Sequence, residues 1–134
     1  MAEKLHFYIC SPLSAPTQKG IEANMNKARI YVKTVCCITG KRAIAPHAIL
    51  PGYFDDNIPE ERELCLQFGL DVLALCKVMV VCGTRVSRGM KGEIERAKCL
   101  NMPIYALCFK GGEDSYENYE LVPFEEVKEE FDYV

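Results

Sequence analysis

The sequence predicts an α/β domain with a central parallel sheet. Short apolar runs recur along its 134 residues, and segments with helical spacing separate them. Strands and helices that alternate in this way favour a parallel sheet with right-handed crossovers. The runs are continuously apolar, which is typical of strands buried on both faces. We therefore expect a three-layer, flavodoxin-like (Rossmann-like) sheet of four or five strands, in the order 2-1-3-4, within one domain spanning residues 1–134.

The first half of the chain predicts two strands around one helix. Residues 5–10 form the first apolar run, and proline and serine interrupt the loop 11–16 that follows. Helical spacing then runs from Thr17, a suitable N-cap, to about Ile38, and Gly40 ends it. Residues 42–45 form a short second strand. The connection 47–58 contains aromatic residues, and we expect it to be a pocket wall or lid.

The second half predicts two further helix–strand units. Pro59 suits the first position of a helix that runs to about residue 76. Strands are expected at 78–82 and 104–108, with a helix from Ser87 to about 101 between them. An edge strand at 119–122 and a last helix at 124–131 complete the prediction. The inward stripe of the helix after Pro59 is expected to be Leu64, Phe68, Val72 and Leu75, with Asp71 inside it.

The helix that starts after Ser87 carries a carboxylate on its inward face. At about 100° per residue, one apolar stripe contains Met90, Ile94, Ala97 and Leu100. Glu93 falls inside this stripe, and Glu95 falls on the opposite side. A glutamate near a helix start also complements the helix dipole. However, ligands of open α/β sheets bind at this kind of strand–loop–helix junction, so the loops 11–16 and 84–89 should frame a site.

Composition and charge restrict the classes of function. The chain is 49% hydrophobic and 26% charged, as in ordinary globular proteins. It has no apolar run of bilayer length and no signal-peptide pattern at its start, so we expect a cytoplasmic protein without membrane contact. Its eight cysteines include no CxxC pair, and we expect no metal and no cofactor. Residues 111–134 carry nine acids and one lysine, which leaves a basic body suited to small anionic ligands and argues against nucleic acid.

Three segments carry a resemblance to known proteins. They are Phe-Tyr-Ile-Cys-Ser-Pro at 7–12, Ala-Pro-His at 45–47, and the spacing of Ser87, Gly89, Glu93 and Ala97. Together they resemble the nucleoside 2-deoxyribosyltransferase-like superfamily, in particular its short bacterial and phage members. This superfamily includes the nucleoside 5′-monophosphate N-glycosidases, and the resemblance covers about residues 5–108. It implies that Glu93 is the nucleophile, and that the protein forms a homo-oligomer, because the family often completes its pockets across subunits.

Two positions depart from the pattern of this superfamily. Aspartates usually stand before the third strand, eight residues apart, where this chain has Gly69 and Lys77. Asp71 is the candidate substitute for the missing acid. Cleavage of an N-glycosidic bond passes through a cation-like sugar, which a carboxylate such as Glu93 can stabilise or attack. Asp71, His47 or a water would then supply the proton of the leaving base.

The expected site combines these catalytic candidates with binding residues. Backbone N–H groups of residues 87–90, the Ser87 hydroxyl and Arg88 would cradle a phosphate. The full set of expected substrate contacts is Tyr8, Ser11, Pro12, His47, Tyr53, Ser87, Arg88, Gly89 and Met90. Structural roles stay open for several of them: an N-cap for Ser87, a solvated side chain for Arg88, and hydrogen bonding within the fold for His47 and Asp71.

Two functions therefore stay open. The protein is an enzyme that hydrolyses or transfers the (deoxy)ribosyl group of a nucleoside or nucleotide, or it is a module that binds a nucleotide without turnover. The presence of Glu93 favours the enzyme, and the glycine at position 69 favours the binding module.

Overall fold

The computed structural model describes residues 5–55 and 57–134, which form a mixed α/β domain. Its strands are, in chain order, β1 (Phe7–Cys10), β2 (Ala43–Ile44), β3 (Val78–Val81), β4 (Arg85–Val86), β5 (Ile104–Phe109), β6 (Tyr119–Pro123) and β7 (Asp132–Tyr133). Its α-helices are α1 (Gln18–Thr39), α2 (Pro59–Leu75), α3 (Arg88–Cys99) and α4 (Phe124–Val127). Short 3-10 turns cover Pro46–Ala48, Leu50–Gly52, Tyr116–Asn118 and Lys128–Glu130.

The central sheet has five strands in the order β2-β1-β3-β5-β6. The first four are mutually parallel, which confirms the predicted topology and its switch point between β1 and β3. The edge strand β6 is antiparallel to β5, because a short connection joins these two strands. The loops that follow β1 and β3 therefore leave the sheet at the same edge, next to each other.

Local signals explain where the helices begin and end. The Thr17 hydroxyl accepts a hydrogen bond from the N–H of Gly20 at 3.0 Å and caps α1. Gly40 closes the same helix with a φ of 71°, a left-handed conformation that favours glycine. The Ser87 hydroxyl caps α3 by accepting from the N–H of Met90 at 3.3 Å. The N-terminus of α3 is thus fixed directly after β4.

The sheet separates two apolar clusters. Phe7 and Ile9 of β1 face α1 and share a cluster with Ala28 and Val35 of that helix. Tyr8 and Cys10 alternate to the opposite face, where α2 and α3 pack with residues such as Val72, Leu73, Met90, Ile94 and Ala97. This alternation places the Tyr8 side chain on the same side of the sheet as α3.

The predicted inward stripe of α2 is wrong at all of its positions except Val72, which is buried. Leu64, Phe68 and Leu75 are exposed, and Asp71 is exposed with them. The buried residues of α2 are Val72, as predicted, and Leu73, which the prediction left out. Apolar residues occur on more than one side of α2, so its periodicity does not single out one inward face. Leu100, placed on the inward stripe of α3, is also 38% exposed, because it caps that helix beyond its last buried turn.

The C-terminal region also differs from the prediction. The last helix ends at Val127, and a 3-10 turn replaces its expected second half. The chain then forms β7, which pairs in parallel with β4 as a second, two-stranded sheet. Strands of two residues leave no periodic pattern, so the sequence gives no signal for this pair.

Candidate active site

A cavity of about 770 Å³ opens beyond the carboxyl ends of β1 and β3, between α2 and α3. This is the place where open α/β sheets bind ligands. The predicted site residues that line it are Tyr8, Ser11, His47, Ser87, Arg88, Gly89, Met90 and Glu93. Residues from β1, the segment after β2, α2 and the start of α3 thus meet around one space.

Glu93 presents a buried carboxylate to this cavity. Its neighbours on the helix face, Met90, Ile94 and Ala97, are buried, whereas Glu95 is exposed. The Glu93 Oε2 atom is inaccessible to solvent and has no hydrogen-bond partner among the described residues. Burial disfavours the charged carboxylate and raises the pKa of Glu93 to about 7, although a hydrogen bond with Tyr8 acts to lower it. Near neutral pH both the charged and the neutral form of the carboxyl group are therefore populated.

Tyr8 supports the Glu93 carboxylate from the sheet. Burial raises the pKa of the Tyr8 hydroxyl well above its usual range, and the Glu93 charge and hydrogen bond raise it further. The hydroxyl therefore stays protonated and donates a hydrogen bond to the carboxylate. On the far side of Tyr8 stands α2, where a Cβ atom on Gly69 would lie 3.5 Å from the tyrosine oxygen.

Ser11 and His47 form a second polar pair in the cavity. The Ser11 Oγ and the His47 Nε2 lie 2.7 Å apart and share a hydrogen bond. Ser11 is 4% exposed, and burial lowers the pKa of His47 to about 4. His47 is therefore neutral at physiological pH, and the pair acts as an uncharged donor and acceptor for a ligand.

The start of α3 supplies hydrogen-bond donors at the mouth of the cavity. The N–H groups of Arg88 and Gly89 lie in its first turn and have no acceptor among residues 5–55 and 57–134. A Cβ atom on Gly89 would meet nothing within 4 Å, so the backbone there is open to a ligand. Together with the Ser87 hydroxyl, these donors fit an anion.

Three arginines line the same cavity, two of which the sequence did not indicate. Arg88 was expected, whereas Arg62 of α2 and Arg85 of β4 were not. The Arg85 guanidinium donates to the backbone oxygen of Ser14 at 3.4 Å, which ties it to the loop after β1. Arg62 was missed because the wrong face of α2 was assigned to the interior.

Three expected site residues lie outside this cavity. Asp71 is exposed on α2, so its expected inward orientation is wrong. Tyr53 is 78% exposed and lines an adjoining cavity of about 710 Å³. Pro12 packs near Gly83 and does not line the main cavity, although its neighbours Ser11 and Leu13 do.

Comparison with known families places the chain. The family described as Domain of unknown function (DUF7768) matches residues 6–107. The chain belongs to this family. The match spans β1 to β5. It therefore includes every described residue that lines the cavity except Val134.

A solved structure shares the fold of this DUF7768 chain. It is a 2-deoxyribosyltransferase from the psychrotolerant bacterium Bacillus psychrosaccharolyticus, with a TM-score of 0.53 and 14% sequence identity. The alignment covers 75% of this chain and 70% of the transferase. At this identity the likeness shows the fold alone. No curated protein matches the DUF7768 chain in sequence.

Two further observations concern metals and membranes. Among the described residues, no group of three or more histidine, cysteine or acidic side chains is arranged to hold a metal ion. In the same part of the DUF7768 chain, every helix is too short or too polar to cross a bilayer.

Proposed function

We propose that this protein cleaves or transfers the N-glycosidic bond of a nucleoside or nucleotide, with Glu93 as the nucleophile. The observation that carries the proposal is the buried Glu93 Oε2, which lacks a partner among the described residues in a cavity at the switch point of the sheet. Burying a carboxylate with one oxygen left unpaired is costly, and a purely structural glutamate could avoid this cost on the exposed face of α3.

The proposed reaction has two steps. An ionised Glu93 oxygen attacks the anomeric carbon, the bond from this carbon to the base nitrogen breaks, and its electron pair stays on the base. The base nitrogen takes a proton from water or through the neutral Ser11–His47 pair. A water or a second base then attacks the anomeric carbon and releases Glu93. Tyr8 orients the carboxylate throughout, because its hydroxyl stays protonated.

A second candidate is a nucleotide-binding module without turnover. It is favoured by Gly69, which leaves no side chain at the point where α2 approaches the Tyr8 hydroxyl. With Asp71 exposed, Glu63 has the only other acidic side chain among the described residues that line the cavity. A proton donor for the leaving base would then be weak, and binding without rapid cleavage would result.

Incubation with a panel of nucleosides and 5′-monophosphates, followed by chromatographic detection of free base, tests the two candidates. We expect base release by the wild type and a decrease on the order of 10³-fold or more in Glu93→Gln. Glu95→Gln is the matched control on the exposed face of the same helix and should keep full activity. Equal activity of Glu93→Gln and the wild type would remove Glu93 as nucleophile. Tight binding by calorimetry without base release would favour the binding module.

We also propose that the protein assembles as a homo-oligomer. The support is the outer face of α2, where Leu64, Phe68 and Leu75 are more than half exposed. Burial of such side chains between subunits would be favourable by about 25 cal/mol per Å². Sedimentation of the wild type and of Phe68→Ser measures this: the wild type should sediment as an oligomer and the variant should shift towards the monomer.

A further inference from the structure

The arginines of the cavity stand on both of its walls. Arg85 and Arg88 flank Ser87 on the wall made by β4 and α3. Arg62 belongs to α2, the facing wall, two helical turns before Gly69. Arg62 and Arg88 have no ion pair with any described residue, so their guanidinium groups remain available to a ligand.

The donors at the start of α3 are sufficient to bind one phosphate group. The free N–H groups of Arg88 and Gly89, the Ser87 hydroxyl and the Arg88 guanidinium offer at least one donor to each of three phosphate oxygens. Arg62 adds a further guanidinium from the opposite side. A planar, permanently charged fork in this position suits a second phosphate group.

The charged side chains that line the cavity, and its size, agree with a negatively charged ligand larger than a mononucleotide. Among the described residues, the lining contains three arginine side chains and two acidic side chains, those of Glu63 and Glu93. Glu93 is on the side of Tyr8 and the sheet, and its unpartnered oxygen marks the place of the sugar in the proposed reaction. The volume of about 770 Å³ lies in the upper half of the range of small-molecule sites, which leaves room beyond a mononucleotide.

We propose that the ligand of this site is a nucleotide with two linked phosphate groups, and that Arg62 binds the outer phosphate. The inner phosphate lies at the N-terminus of α3, and the outer one bridges to α2. Arg62 is thus a specificity residue, which distinguishes a diphosphate from a monophosphate. The inference rests on the proposed function, because it takes the nucleotide as the ligand.

Calorimetric titrations at one ionic strength test this inference. The ligands are adenosine, its 5′-monophosphate, its 5′-diphosphate and inorganic pyrophosphate, with the guanine, cytosine and thymine series in parallel. For the preferred base, we expect the diphosphate to bind about tenfold or more tightly than the monophosphate. Pyrophosphate alone should bind much more weakly than the diphosphate, because it lacks the contacts of base and sugar.

Arg62→Gln is the decisive variant, and Arg96→Gln is its control on an exposed part of α3 outside the cavity. Arg62→Gln should abolish the gain from the second phosphate and leave monophosphate affinity within about twofold. Arg62→Lys should restore part of the gain, since it keeps the charge but not the fork. Arg62 is exposed, so these variants should fold, which circular dichroism checks.

Several outcomes would overturn the inference. They are equal affinity for monophosphate and diphosphate in the wild type, an equal loss for both ligands in Arg62→Gln, and pyrophosphate binding as tight as that of the nucleotide. Base release is measured separately on the same samples. Its absence alongside an intact diphosphate preference would reject glycosidic cleavage and leave the role of Arg62 standing.

Discussion

The Tyr8 hydroxyl oxygen lies 3.5 Å from the position that a Cβ atom on Gly69 would take. This is ordinary van der Waals contact, so α2 approaches the Tyr8–Glu93 pair with bare backbone. The side chain at position 69 therefore determines whether a second functional group lies beside the proposed nucleophile.

Gly69→Asp should increase base release. A carboxyl group at this position would reach the cavity beside Tyr8 and could donate a proton to the leaving base, a contribution of about 10²-fold or more for a well-placed acid. Gly69→Ala is the control, because it adds the Cβ atom without the acid and should leave the rate unchanged. The rates of free-base formation measure both. A rate in Gly69→Asp no higher than in Gly69→Ala would show that proton donation does not limit the reaction.

Glu93→Gln should change the pH dependence of stability. Because the pKa of Glu93 is raised to about 7, its stabilising contribution is fully present below about pH 4.5, where the carboxyl is protonated in both states. It is lost as the pH rises through 7, since only the folded state resists ionisation. The loss is up to about 3 kcal/mol. Urea denaturation at pH 4.5 and pH 8 should show the wild type weakening relative to Glu93→Gln, whereas Glu95→Gln should follow the wild type.

Tyr8→Phe should move the pH profile of activity to higher pH. The proposed nucleophile must be ionised, so kcat/KM should rise with pH around the pKa of Glu93, about 7. The Tyr8 hydrogen bond lowers this pKa, and its removal should raise the midpoint. Tyr105→Phe, on a strand that does not line the cavity, should leave the midpoint in place. An unchanged midpoint in Tyr8→Phe would mean that Glu93 is not the group that titrates.

Ser87→Ala should affect both stability and nucleotide binding. Loss of the cap on α3 should decrease the free energy of unfolding by about 1 kcal/mol. Affinity for a nucleotide should fall, while affinity for the nucleoside should not change, since only the phosphate contacts the cradle. Thr17→Ala removes the equivalent cap of α1, far from the cradle, and should lower stability alone. Equal nucleotide affinity of Ser87→Ala and the wild type would reject the phosphate contact.

The central fold followed from the sequence because its strands are buried on both faces. The runs 78–82 and 104–108 are continuously apolar and alternate with helical segments, which is typical of central parallel strands joined by right-handed crossovers. The inward position of Glu93 followed for a similar reason, since Met90, Ile94 and Ala97 define a single buried face of α3.

The same reasoning failed on α2 for a physical reason. Leu64, Phe68 and Leu75 form one apolar stripe that faces outward, whereas Val72 and Leu73 make a second side of α2 apolar and face the sheet. Periodicity reports that a helix face is apolar but not what covers it, so an outward apolar stripe and an inward one look alike. The wrong face of α2 concealed Arg62 and placed Asp71 in the interior.

The β4–β7 pair has a consequence for how the protein is made. Arg85 pairs with Asp132, and the Lys91 ammonium donates to the Val134 backbone oxygen at 2.8 Å. Asp132 and Val134 are synthesised only after α3, β5, β6 and α4, whereas β1, β3 and α3 can associate earlier. The cavity wall made by β1 and α3 is therefore synthesised before β7, which pairs with β4 at the rim of the cavity.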